Sequence, residues 1–227
     1  MNIAFRQNSA SLCSPMVHTR GAQSDRRRRG WAAAALAVVF AAGLSACGPA
    51  GHPQQQFLTT DITGVDWGKG FDLIDHHGAP RKLDDFRGKV VMLFFGYTRC
   101  PDMCPVTLSK MAQVLDRLGT EKSHVQGLFI TVDPKRDTPE VLAQYVPAFH
   151  ATLLGLTGTE SQTTAAAKDF KVFFATHQDA SGEQVSIEHN AAMFIFDRQG
   201  RIRLYVSGEA SVDAIVHDIK VLLGNSA

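Results

Sequence analysis

Cysteine is scarce, with four in 227 residues. That is too few to staple a small fold with disulfides. Charge of one sign is lacking too: 23 Lys and Arg face 22 Asp and Glu, for a net charge of +1. This gives no case for nucleic acid as a partner. The apolar run from Trp31 to Leu44 has only 14 residues, short of the roughly 20 that a membrane-spanning helix needs. There is no internal repeat. What is present is ordinary: 44% hydrophobic and 20% charged residues exclude wholesale disorder, and the length fits one domain with a sizeable core.

The charge is unevenly spread. Residues 1–46 hold six arginines (Arg6, Arg20, Arg26, Arg27, Arg28, Arg29) and one acid, Asp25. The cluster Arg26–Arg29 followed by the short apolar run is the pattern of a secretory signal. Met16 offers an alternative start. The run ends in Leu44-Ser45-Ala46-Cys47, which resembles the lipobox of bacterial lipoprotein signals, where the cysteine is acylated and begins the mature chain. The sequence therefore predicts a signal peptide over 1–46 and lipidation at Cys47. It predicts a Gly-, Pro- and Gln-rich tether over 47–60 and one domain over 61–227. The protein is then exported and held to a membrane by lipid, facing the periplasm or cell exterior. Removal of 1–46 leaves 181 residues with a net charge of −4. Of the four cysteines, Cys13 is lost and Cys47 lipidated, so Cys100 and Cys104 remain as free thiols.

Val90–Gly96 and Val125–Val132 are continuous apolar runs suited to strands buried on both faces. Val106–Leu118 has apolar residues at helical spacing. Thr138 and Pro139 form an N-cap and first helical position for a helix through Phe149. Further strands are expected at 72–75, 153–156, 172–175, 192–197 and 202–206, with helices at 159–170 and 211–223. The order is mixed α/β, with parallel crossovers and a late antiparallel hairpin. It matches a thioredoxin-like arrangement, a central mixed sheet flanked by helices, with an insertion around 153–170.

Cys100 and Cys104 stand at the start of a helix, just beyond the carboxyl end of a strand, where α/β folds place their sites. A helix N-terminus favours thiolate. Three residues between the cysteines, not the two usual for dithiol exchange, allow a wider pair that can share one ion. In an oxidising compartment the pair can close into a disulfide or hold a soft metal. Among the histidines, His189 is the best further donor. It stands in a loop just before the strand 192–197, the loop that in thioredoxin-like folds faces the cysteine turn and carries a cis-proline, absent here. Two thiolates and an imidazole suit Cu(I), and Cu(II) also fits. His76 and His77 read as solvated turn residues. Phe94, Phe95, Phe129, Phe173, Phe174, Phe194 and Phe196 read as core.

The chain resembles the Sco/SenC family of copper-binding, thioredoxin-like proteins that assist cytochrome c oxidase assembly. The resemblance runs from about Phe71 to Leu223. It rests on GYTRCPDMCP at 96–105, FITVDPKRDTPE at 129–140, LTG at 156–158, and His189. It implies that Cys100, Cys104 and His189 hold copper, that the two cysteines also form a disulfide, and that Asp133 and Asp137 act around the metal loop. Glu188 and Asn190 depart from the residues the family commonly has there. The implied function is copper delivery to the copper-bearing subunit of the oxidase, with other copper chaperones or thiol-disulfide reductants as further partners. The alternative is an enzyme, a thiol-disulfide oxidoreductase acting on an exported oxidase subunit or another protein through Cys100 and Cys104 alone.

Overall fold

The computed structural model describes residues 57–178, 184–189 and 192–224; for 176–178 and 184–189 it gives the backbone alone. The signal segment, Cys47 and most of the tether lie outside the described residues.

Ten strands and four α-helices follow one another along the described chain. In order they are β1 (Thr60–Asp61), β2 (Asp72–Asp75), β3 (Pro80–Lys82), β4 (Val90–Gly96), α1 (Met103–Arg117), β5 (Val125–Thr131), α2 (Pro139–Tyr145), β6 (Leu154–Thr157), α3 (Glu160–Asp169), β7 (Phe174–Gln178), β8 (Gln184–His189), β9 (Met193–Phe196), β10 (Ile202–Val206) and α4 (Val212–Leu223). Eight strands form one sheet in the order β1-β10-β9-β4-β5-β6-β2-β3. The centre, β4-β5-β6, is parallel, and β9, β10 and β1 extend it antiparallel on one side. This is the thioredoxin-like mixed sheet that the sequence predicts. The inserted β6 lies within it, between β5 and β2.

The central strands are buried because their apolar runs supply both faces. Every residue of β4 is buried. Phe94 packs toward Phe129, with ring centroids 6.1 Å apart, whereas Phe95 packs toward Phe170 at 5.2 Å. Phe194 and Phe196 also close on Phe170, at 5.6 and 5.8 Å. Consecutive residues on β4 thus feed separate aromatic clusters. Thr138 caps α2, its hydroxyl accepting from the Val141 N–H at 3.4 Å, and Pro139 opens the helix. Thr159 caps α3 with a reciprocal bond from Gln162.

Several sequence expectations are corrected. The fold reaches back before residue 61. The Leu58 and Thr59 N–H groups each donate at 2.8 Å to the buried Asp218 carboxylate, and the Thr59 hydroxyl does so at 2.7 Å. β1 then pairs with β10. Residues 184–189 form a strand, not a loop, and β8 pairs with β7 as a separate two-stranded sheet, Phe174 opposite His189. The helix opened by Pro139 ends at Tyr145, short of Phe149. Phe173 is 81% exposed and so is not core. His76 is buried, not solvated: its Nδ1 accepts from the Gly155 N–H at 3.0 Å.

Candidate metal centre

The register of the central strands builds the site. Gly96 ends β4 directly opposite Thr131, which ends β5. The Val132 N–H donates to the Gly96 carbonyl at 2.8 Å, so the two chains leave the sheet side by side. One becomes the turn Tyr97–Asp102 that carries Cys100 into α1. The other becomes the loop Asp133–Asp137 that leads into α2.

Cys100 lies in the turn and is partly exposed, while Cys104 lies in the first helical turn and is fully buried. The Cys104 N–H points at the Cys100 sulfur, 3.4 Å away. Burial raises the Cys100 thiol pKa, but the N–H groups of Asp102, Cys104 and Met103 and the Cys104 thiol all favour its ionised sulfur, and the net shift is downward. Cys104 moves the other way. Burial dominates and, with the adjacent Cys100 and Asp137, drives its pKa far up despite the Tyr97 N–H. The pair is therefore unequal, with one accessible sulfur poised to ionise and one enclosed sulfur that holds its proton.

Gly96 makes room for this. A β-carbon there would stand 2.8 Å from the Cys104 Sγ and 2.7 Å from a ring carbon of Phe129. A glycine at the end of a buried strand is the sequence signal for such a close approach, although sequence reasoning passed over it.

Asp137 joins the two loops. Its buried carboxylate accepts from the Thr98 N–H at 3.0 Å, the Thr98 hydroxyl at 2.5 Å and the Thr131 hydroxyl at 2.6 Å. Burial holds its pKa above the usual carboxylate value in spite of these bonds, and the charge on Asp133 adds to the effect. Asp133 is buried too. It pairs with the Arg136 side chain, and its own N–H donates to the Thr131 hydroxyl at 2.9 Å. Asp137 thus braces the turn that carries Cys100, and Asp133 shapes the acidic loop beside it. Tyr145, at the end of α2, was unmarked by the sequence. Its hydroxyl is buried with no hydrogen-bond partner among the described residues.

His189 ends β8, and its side chain lies outside the described residues, as does Cys47. Among the described residues no three His, Cys, Asp or Glu side chains cluster as a metal site, and no helix is long and apolar enough to cross a membrane. Two neighbouring sulfurs on a rigid strand–helix junction nevertheless fit a soft, low-coordinate ion and do not fit calcium or magnesium.

A family model described as SCO1/SenC matches residues 60–224. The chain belongs to the SCO1/SenC family. Among curated relatives, this SCO1/SenC chain is 35% identical over 193 residues to protein SCO2 homolog, mitochondrial, of Mus musculus, covering 82% of the chain and 76% of the relative. It is 37% identical over 170 residues to the Bos taurus counterpart, covering 74% of the chain and 64% of that relative, just under two thirds. Among solved structures it is similar to apo Sco1 from Thermus thermophilus, with a TM-score of 0.67 at 36% identity, covering 75% of this chain and 99% of that one. It is also similar to Bradyrhizobium japonicum ScoI with copper bound, with a TM-score of 0.63 at 30% identity, covering 67% and 97%.

Proposed function

We propose that this SCO1/SenC protein is a membrane-anchored copper metallochaperone that delivers copper to the copper centre of cytochrome c oxidase during assembly. The observation that carries the reading is the unequal sulfur pair on one strand–helix junction, with the Cys104 N–H 3.4 Å from the Cys100 sulfur. Cys100 and Cys104 supply two soft donors and His189 a third. Such a set suits Cu(I), and Cu(II) also fits. A low coordination number leaves a position for an incoming ligand, so the ion moves by exchange between donors. Cys100, the accessible sulfur, is the one a receiving site meets first. Asp137 holds the Cys100 turn and Asp133 the neighbouring loop. Lipid at Cys47 confines the domain to the surface where its partner is embedded and raises its effective concentration there. The copper-bound ScoI relative supports the metal assignment.

The same asymmetry favours a second reading, thiol-disulfide exchange. Cys100 thiolate attacks a target disulfide, forming a mixed disulfide and releasing one target thiolate. Cys104, once deprotonated, attacks the Cys100 sulfur and releases the second, so the target is reduced and the Cys100–Cys104 pair oxidised.

Copper titration of the reduced full chain, with oxidase assembly followed in cells, tests both readings. For copper delivery, His189→Ala and Cys100→Ser each abolish tight binding of one copper per chain, and both fail to restore assembly. An unchanged copper stoichiometry and spectrum in His189→Ala refutes the three-donor site. Assembly lost only with Cys100→Ser assigns the protein to exchange instead.

A further inference from the structure

The turn after β2 carries His76 and His77, which border a cavity of about 410 Å³. Lys89, just before β4, and Leu154, the first residue of β6, line the same cavity. β4 runs seven residues from this end of the sheet to Gly96, a span of about 20 Å. The cavity is therefore separate from the candidate metal centre.

His76 is 7% exposed and locked to β6. Its backbone N–H donates to the Gly155 carbonyl at 2.9 Å, and its Nδ1 accepts from the Gly155 N–H at 3.0 Å. A backbone N–H can only donate, so Nδ1 holds a lone pair. Burial first, and then His77, whose ring centroid is 4.2 Å away, hold the imidazole pKa below its usual value in spite of Asp75. The ring is thus neutral at pH 7, and its one proton sits on Nε2. Nε2 has no hydrogen-bond partner among the described residues, and it is not sealed from solvent. A nearly buried ring therefore offers the cavity a fixed donor without an acceptor. The same tautomer leaves Nε2 no lone pair for a metal.

The charges on the lining agree. Arg81 is pinned by its Nε, which donates to the Asp75 carboxylate at 2.8 Å, and its terminal nitrogens make no bond among the described residues. Asp75 is fully buried and also accepts from the His77 and Ala79 N–H groups at 2.9 and 3.0 Å. One carboxylate thus holds both the histidine turn and the guanidinium. Lys89 is exposed and has no ion-pair partner among the described residues. Arg87 adds a third cation, itself paired with Asp84, and Asp85 is the one carboxylate on the lining.

We propose that this cavity binds a phosphate group, held between the His76 Nε2–H, the terminal N–H groups of Arg81 and the Lys89 ammonium. Bonds from cationic donors to an oxyanion are short and strong, and a guanidinium held at Nε presents the rest of its fork in a set direction. The phosphate is either free in solution or part of a lipid headgroup. The proposal does not depend on the copper reading.

Two arms distinguish the sources, both with the full chain. Calorimetry measures binding of inorganic phosphate. Flotation compares vesicles of phosphatidylglycerol with vesicles of phosphatidylcholine. Each is repeated with His76→Asn, which keeps an acceptor for the Gly155 N–H and removes the Nε2 donor, and with Lys89→Ala, an exposed change. Melting curves check that each variant is folded. For free phosphate we expect saturable one-to-one binding, weakened roughly tenfold or more in His76→Asn and weakened also in Lys89→Ala. If calorimetry is silent and flotation with phosphatidylglycerol falls in both variants, the phosphate is a headgroup. The arginines of residues 1–46 are the same in every chain, so they do not produce that difference. Binding in neither arm overturns the proposal. So does binding that either folded variant retains at wild-type strength, and if His76→Asn does not fold, Lys89→Ala decides alone.

Discussion

At the residue scale, the missing side chain of Gly96 sets how closely Cys104 can approach the sheet. Gly96→Ala inserts a methyl group against Phe129 and the Cys104 sulfur. Overpacking of this kind costs about 1–3 kcal/mol, and here the strain falls on a candidate ligand. The expected outcome is a lower unfolding midpoint in urea together with weaker copper binding. The two sulfurs also differ in reactivity. A trace of iodoacetamide at neutral pH is expected to label Cys100 well before Cys104 in the reduced chain, because Cys100 is accessible and its pKa is lowered while Cys104 is buried and its pKa is raised. Mass spectrometry of the labelled peptides checks the order, and equal labelling removes the asymmetry on which the exchange reading depends. The cysteine pair was legible in the sequence because its spacing is local. The burial of His76 was not, because its partner Gly155 lies 79 residues away. Tyr145 was silent for a similar reason: in a short helix it looks like any half-buried aromatic, and only tertiary packing shows a hydroxyl without an acceptor.

At the element scale, β4 and β5 could be read directly, since an unbroken apolar run bounded by turn residues has few other solutions. The α2 start was legible from Thr138 and Pro139, and its end from Pro147, which has no N–H to carry the helix on, so the expectation of a helix through Phe149 overlooked a stop that the sequence shows. β8 was missed although Val185 and Ile187 alternate with polar residues; six residues of mixed polarity give a weak period. β1 and β3, at two and three residues, are too short for any pattern and exist because a neighbouring strand offers an edge. For β1 the anchor is Asp218 on α4, fully buried and accepting from Leu58 and Thr59. Bonds to a charged acceptor are worth about 1.5–3 kcal/mol each before losses from non-additivity. Asp218→Ala is expected to lower stability by about 2 kcal/mol or more and to speed hydrogen exchange at the Leu58 and Thr59 amides. Exchange that stays slow there shows that the Asp218 carboxylate is not what protects these two amides.

At the scale of the whole molecule, stability and pH are linked through three buried carboxylates. Burial works against ionisation of Asp75 and Asp197, yet their pKa values lie below the usual range. At Asp75 the Arg81 guanidinium and the N–H groups of Ala79 and His77 prevail. At Asp197 the Arg201 N–H and the Arg201 and Arg203 side chains do so. A carboxylate with a lowered pKa adds stability above the unfolded value near 4, and this is lost as pH falls through the folded value. Asp137 has the opposite sign. Burial raises its pKa, so the folded chain keeps that proton above pH 4 and stability falls as pH rises toward the raised value. Melting curves of the full chain between pH 3 and pH 7 are expected to show a steep acid limb that Asp75→Asn and Asp197→Asn each flatten. In Asp137→Asn the acid limb remains and the opposing loss above pH 4 disappears. A limb of unchanged slope in Asp75→Asn and Asp197→Asn refutes the assignment.

The margins of the eight-stranded sheet have a consequence of their own. One is closed by the two-residue β1 and the other by β3, whose residues are Pro80, Arg81 and Lys82. A stub, a proline and two cations make poor templates for another copy's backbone. Molecules that meet at these two margins of the large sheet therefore do not zip into stacked ribbons there, and its shortest elements are what guard them.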